Sequence, residues 1–183
     1  MRIRHHLRRV LAYWRDDCSG ATAIEGALAA LMLVSWYAMA YQFTDAFRVK
    51  TANMKGAFTV ADAISREKSP VNAAYIEGLN KLFDFVTNAE EDSWIRVTSI
   101  YWDDDLKKFQ EEWSYATRDM PPHTNASIAL EADRIPTMPV GDTAIVVETS
   151  MRYNPLFGIG LGAGSHQNFI VTRPRGPRIV WED

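Results

Sequence analysis

The 183 residues contain one cysteine, Cys18, which is too few for a disulfide framework or a cysteine-based zinc site. It follows Arg15, Asp16 and Asp17 and precedes an apolar run, the reverse of a lipoprotein signal. It therefore reads as a plain juxtamembrane thiol, with palmitoylation as the alternative. Proline is missing before Pro70, so nothing earlier stops a helix outright. No basic stripe follows the N-terminal segment. Of 20 Lys and Arg, 5 precede Gly20; beyond Glu25, 15 Lys and Arg face 20 Asp and Glu. That balance excludes the usual electrostatic footprint for nucleic acid. A Gly-x-Ser-x-Gly elbow is also absent. His5, His6, His123 and His166 form no spaced ligand pair, and the chain carries no internal repeat. No catalytic constellation, metal site or cofactor is expected, and the chain does not read as an enzyme.

What is present is one long apolar run, residues 21–43, in which only Glu25 is charged. A helix rises about 1.5 Å per residue, so this run can cross a hydrocarbon core about 30 Å thick. Arg2, Arg4, Arg8, Arg9 and Arg15 precede it and predict a cytoplasmic N-terminus, with everything after Phe43 on the other side. A secretory signal is the first alternative, but the run is long and no Ala-x-Ala site follows before Gln42. A buried core helix is the second, and the flanking charge asymmetry argues against it. Glu25 stands out, because a carboxylate in lipid is costly and usually functional.

The helix is expected to continue past the membrane, from about residue 22 to about 66. Phe47, Thr51, Met54, Phe58 and Ala61 recur at spacings of four and three, which predicts a packing stripe. That stripe needs a partner surface, from the chain's own domain or from a neighbour. A second helix is expected over 72–88, with Tyr75, Leu79, Leu82, Phe83 and Val86 on one face and Asn88 as its cap. The periodicity then changes. Residues 94–102 are β-branched and aromatic, 103–105 make an aspartate turn, and Phe109, Trp113 and Tyr115 recur at even spacing on a half-exposed second strand. Four prolines make 120–140 mostly loop, with one helical turn over 126–132. Strands are expected at 142–153 and 166–172, separated by a flexible glycine-rich segment at 158–164.

Helix, helix, then about four strands predicts an α+β fold: a long N-terminal transmembrane helix, then a small domain with an antiparallel sheet packed on helices. The expected divisions are a basic leader at 1–20, the span at 21–43, its amphipathic continuation at 44–68, and an outer domain at 69–183. Two weaker motifs carry little. Asp103, Asp104 and Asp105 lack the glycine and distal glutamate of a calcium loop, and the glycines of 158–164 lack the following Lys-Ser or Lys-Thr of a phosphate loop.

The junction is more specific. If a protease cut after Gly20, Ala21 would carry a new α-ammonium and Glu25 would lie about one turn away. In an assembly, one subunit's carboxylate could pair with the next subunit's ammonium, giving attraction and register together. The bland alternative is a glutamate reaching up to head groups.

The basic leader, Gly20, Glu25 and the apolar helix resemble a type IV prepilin site. More narrowly, the chain resembles the TadE/TadF-like pseudopilins of the Flp, or tight adherence, pilus system. Residues 17–25 fit the family's Gly-Ala/Thr-rich junction and following glutamate. At the other end, Ile170, Val171 and Thr172 lead into Arg173, Pro174 and Arg175, with Trp181 nearby, in the family's manner. Gly26 departs from the aromatic residue that many members carry after the glutamate. The resemblance implies cleavage between Gly20 and Ala21 by a prepilin peptidase. It also implies a role for Glu25 in processing or assembly. Other pilin and pseudopilin subunits and the Tad inner-membrane machinery would be the partners. The implied location is a bacterial inner membrane, with the outer domain periplasmic or carried into the pilus.

Overall fold

The computed structural model describes residues 20–89, 93–158 and 160–182. Cys18, His5, His6 and the arginines of the basic leader lie outside them. The chain divides into two compact units, Met1–Thr44 and Asp45–Asp183.

One helix, α1 (Ala21–Ser65), runs without interruption for 45 residues. With no proline to break it, it ends through local chemistry. Arg66 N–H and Glu67 N–H bond back to Ala63 O and Ile64 O, tightening the last turn. The Glu67 carboxylate then accepts Lys68 N–H at 2.9 Å and Ser69 N–H at 3.0 Å. These bonds hold its pKa below the usual carboxylate value. Pro70 follows.

The second helix, α2 (Ala73–Thr87), is capped at both ends by asparagine. Asn72 Oδ1 accepts Tyr75 N–H at 3.0 Å, and Asn88 takes the left-handed conformation at φ 53°. Its buried face is Ile76, Leu79, Asn80, Phe83 and Thr87. Leu79 and Phe83 lie where the spacing puts them. Val86 is exposed and Tyr75 and Leu82 are half-buried, because Asn80 and Thr87 take inward places that a hydrophobic pattern gives to apolar residues. Thr87 Oγ1–H donates to Phe83 O at 2.8 Å, so its burial leaves no unpaired hydroxyl.

Four strands follow: β1 (Trp94–Asp103), β2 (Lys108–Ala116), β3 (Thr143–Tyr153) and β4 (Gly164–Thr172). They form one antiparallel sheet in the order β2-β1-β3-β4. Between β2 and β3 lie a short helix, α3 (Asn125–Leu130), and a 3₁₀ turn, Ala132–Arg134. The α+β class and the antiparallel sheet packed on helices are as the sequence predicts. The aspartates at 103–105 make a tight turn, Asp103 Oδ1 accepting both Asp105 N–H and Leu106 N–H.

Both faces of the sheet are covered. Ile95, Val97, Trp113, Ile145, Val147 and Met151 pack against Ala57, Val60, Ala61 and Ile64 of α1 and Ile76, Leu79 and Phe83 of α2. On the other face, Ile100, Phe109, Ala144 and Val146 pack against Ile128 and Ile135. Phe109 and Trp113, expected on one face, lie on opposite ones. Ser99 pairs with Trp113 but Ile100 pairs with Glu111, leaving Glu112 as a bulged residue between them. One extra residue reverses the alternation.

The C-terminal segment works as a strap. Val71 exchanges backbone bonds with Val180 O and Glu182 N–H. Trp113 Nε1–H donates to Ile179 O at 3.0 Å, and Trp181 stacks on Tyr115 at 5.4 Å. Arg175 reaches back to Asp62 of α1 at 2.6 Å, and Arg178 to the bulged Glu112.

Candidate functional site

Gly20 makes a turn ahead of α1, and its carbonyl accepts Ile24 N–H at 3.2 Å. A Cβ at Gly20 or Gly26 would meet nothing within 4 Å. Among the described residues, no packing contact therefore demands glycine at either place. Ala21 is the first helical residue and Glu25 the fifth. Four residues apart, they share a helix face about 6 Å apart along the axis. Glu25 is exposed, as are Ile24, Leu28, Leu31, Leu33 and Trp36 around it.

The most apolar window of α1 has a mean hydropathy of 1.5, and none of it is buried within the chain. A core helix, by contrast, is covered by its own protein. α1 is long and apolar enough to span a membrane once. Ser35, the hydroxyl midway along the run, bonds back to Leu31 O at 2.8 Å, so it carries no unpaired donor.

Of the two partner surfaces expected for the stripe of Phe47, Thr51, Met54, Phe58 and Ala61, the chain's own domain covers little. Only Ala61 packs on the chain's own sheet. Phe47, Met54 and Phe58 are 68%, 47% and 57% exposed, and Thr51 is exposed with its hydroxyl bonded to Phe47 O. The helix turns a different face inward: Val49, Asn53, Gly56, Ala57, Val60 and Ile64. Gly56 sets that choice. A Cβ there would stand 2.6 Å from Thr87 Cγ2 and 3.0 Å from the Phe83 ring, so α1 and α2 touch where α1 has no side chain. Asn53 fixes the register on the sheet. Fully buried, it donates to His166 O at 3.3 Å and accepts from Asn168, whose amide also donates to Thr149 Oγ1 at 3.0 Å.

A second polar assembly lies on the sheet's other face. Arg96 of β1 stands opposite Glu148 of β3 in register, and its Nε donates to Glu148 Oε2 at 2.6 Å. His123 Nε2 meets the same oxygen at 2.7 Å, and its Nδ1 lies 2.7 Å from Ser127 Oγ. Arg96 also donates to Pro121 O at 3.1 Å, and His123 N–H donates to Ser114 Oγ at 2.8 Å. Burial pushes the Glu148 carboxyl up, but hydrogen bonds from His123 and Arg96 outweigh it and leave it below the usual range. Glu111 goes the other way, raised by burial and only partly offset by His123.

Serine, histidine and carboxylate in that order are the parts of an acyl-transfer triad. Here the serine is committed elsewhere. Ser127 Oγ accepts Thr124 N–H at 2.9 Å and lies 3.0 Å from Thr124 O, within the capping box of α3. Glu148 is shared with Arg96. The assembly clamps the loop after β2, with α3, onto the sheet. Its one trace in the sequence is a glutamate directly after the apolar run Ala144, Ile145, Val146, Val147.

Comparison with family models, with curated proteins and with solved structures finds no match for this chain.

Proposed function

We propose that this chain is a minor pilin or pseudopilin of the TadE/TadF type, taking part in assembly of a Flp-type adhesion pilus. Its basic leader stays in the cytoplasm, and α1 anchors it in the inner membrane. A prepilin peptidase cuts between Gly20 and Ala21. Glu25 then pairs with the α-ammonium of a neighbouring subunit, and the α+β domain works outside the membrane. The observation that carries this reading is the helix surface left uncovered on both sides of residue 44. Apolar side chains stand exposed through the span and again at Phe47, Met54 and Phe58. An anchor alone accounts for the first set but not for the second. Subunits packed helix to helix account for both.

N-terminal sequencing of the protein isolated from cells tests the reading. A mature chain beginning at Ala21 is expected, and replacing Gly20 by a bulky residue abolishes the size shift. A chain that keeps its arginine leader, with no shorter species, would instead be an uncleaved single-pass binding or sensory domain.

A further inference from the structure

α1 meets β4 across a polar seam. Asn53 of α1 donates to His166 O at 3.3 Å and accepts from the Asn168 amide, so helix and strand are tied by main chain and side chain together. Lys50 stands three residues earlier on the same face of the helix. His166 pairs in register with Met151 of the apolar core, and its ring lies 5.4 Å from that of Tyr153.

His166 is the misfit in this seam. Its Nε2 is buried and has no hydrogen-bond partner, and among the described residues no other buried side-chain nitrogen or oxygen is so placed. A neutral imidazole with its proton on Nδ1 tolerates the position, because only a lone pair is buried. A second proton would put an N–H where nothing accepts it, and a positive charge near Lys50. The charged group that acts on the ring from α1 is Lys50, and the titratable group beside it on β3 is Tyr153. β4 itself carries no charged residue. Neither neighbour supplies a carboxylate. Burial first, and then the Lys50 ammonium, hold the imidazole below the usual histidine value.

β4 is also the strand best able to give way. It has one neighbour, β3, and none of its residues is fully buried, whereas β3 is buried along most of its length. Segments with little burial open at low free-energy cost while the core stays folded.

We infer that His166 is a pH-sensitive latch between α1 and β4: neutral, it lets the helix close on the strand, and protonated, it opens that seam while the rest of the sheet stays folded. The sign follows from proton linkage. Above the ordinary histidine value neither the closed nor the open state is protonated, and the latch has no effect. As pH falls through that value the open state takes up the proton first, and the bias towards it is complete below the closed-state value. The Glu148 clamp is distinct, since it lies on the sheet's other face and titrates as a carboxylate. Every group in the latch belongs to the unit Asp45–Asp183, so the inference does not rest on the pilus reading.

Amide hydrogen exchange of the full-length protein in detergent tests it, with His166→Phe as the comparison. Phenylalanine keeps a ring against Tyr153 and cannot take a charge. At about pH 7.5 the two proteins should exchange alike in β1, which shows an intact fold. At about pH 5 β4 should exchange about fivefold faster in wild type than in the variant, with β1 and β2 still equal. Lys50→Met should shrink that difference, because the imidazolium loses a repelling neighbour. Equal β4 exchange at the lower pH, or a difference spread evenly over β1 and β2, overturns the latch. Should His166→Phe fail to fold, Lys50→Met takes its place. Its β4 should then exchange more slowly than wild type's at about pH 5, while the titration midpoint of the His166 ring, followed by NMR, rises. An unchanged midpoint or unchanged exchange overturns the latch equally.

Discussion

Between residues 45 and 65, α1 buries small and β-branched residues and exposes its two phenylalanines and Met54. Inward lie Gly56, Ala57, Val60, Ala61 and Ile64; outward lie Phe47, Met54 and Phe58. Hydrophobicity alone would arrange them the other way. The difference teaches that the inner face is chosen by fit. α2 and the sheet come close enough that Gly56 has no room for a methyl group, so only small and β-branched residues can face them. Large apolar residues left outside are then available to a different partner. One face holds the fold together and the other stands exposed, and substitutions can separate the two.

The largest effect is expected on the inner face. Ile64 is fully buried among α1, α2 and the sheet. Ile64→Ala should cost about 2–5 kcal/mol, by lost transfer energy and the cavity left behind. Urea unfolding of the protein in detergent measures it. A loss below about 1 kcal/mol would mean that the inner face is not the stabilising one.

The clamp on the sheet's far surface should come next. Glu148→Ala leaves Arg96 and His123 facing each other without their shared carboxylate, at a cost of about 3 kcal/mol. Its pH dependence has a definite sign. Glu148 is held below its usual pKa, so its contribution is present above the unfolded carboxylate value and disappears as pH falls through the folded one. Glu111 is raised, so its contribution is present at low pH and is lost as pH rises through the folded value. Through Glu148, wild type should therefore lose stability as pH falls below about 5, and Glu148→Gln should lose less over the same range. Glu111→Gln should gain slightly at neutral pH. Equal acid sensitivity of wild type and Glu148→Gln would remove the clamp from the account.

A smaller effect is expected from Gly56→Ala. Alanine favours the helix by about 1 kcal/mol over glycine. The added methyl group, however, must displace Thr87 Cγ2 and the Phe83 ring. Overpacking costs about 1–3 kcal/mol, so the net change should be a modest loss. A gain in stability would show that α2 gives way easily, and the explanation of the chosen face would fail.

These residues also show what the sequence makes legible. The start and end of α1 lie within a residue of where Gly20 and the approach to Pro70 put them, because both signals are local. The strands and the C-terminal cap of α2 are legible for the same reason. The inner face of α1 is not, since a spacing rule ranks Phe47 and Phe58 above Gly56 and Ala57. Only the closeness of α2 reverses that ranking. Phe109 and Trp113 fall on opposite faces because of a bulge that no turn residue announces. Arg96, His123 and Glu148 lie far apart in the chain and meet only when β1 and β3 pair. At the N-terminal junction, Gly20, Ala21 and Glu25 lie within six consecutive residues, so their relation needs no fold to be seen.

The smallest effect on stability is expected on the outer face. Phe58 is more than half exposed and outside the buried core. Phe58→Ala, like Phe47→Ala, should change unfolding by less than about 0.5 kcal/mol. If the outer face is where other subunits pack, the same substitutions should leave the protein at normal abundance and correctly processed, yet reduce piliation. Glu25→Ala should also reduce it, through the first turn of the helix. Piliation counted by electron microscopy, beside blots for abundance and size, separates the cases. Normal piliation in Phe47→Ala/Phe58→Ala, with Glu25→Ala defective, would confine assembly to the apolar span and leave the outer aromatic residues without a role. A loss of protein in the double variant would put the outer face among the fold's own supports. The contrast between the two faces of α1 would then be wrong.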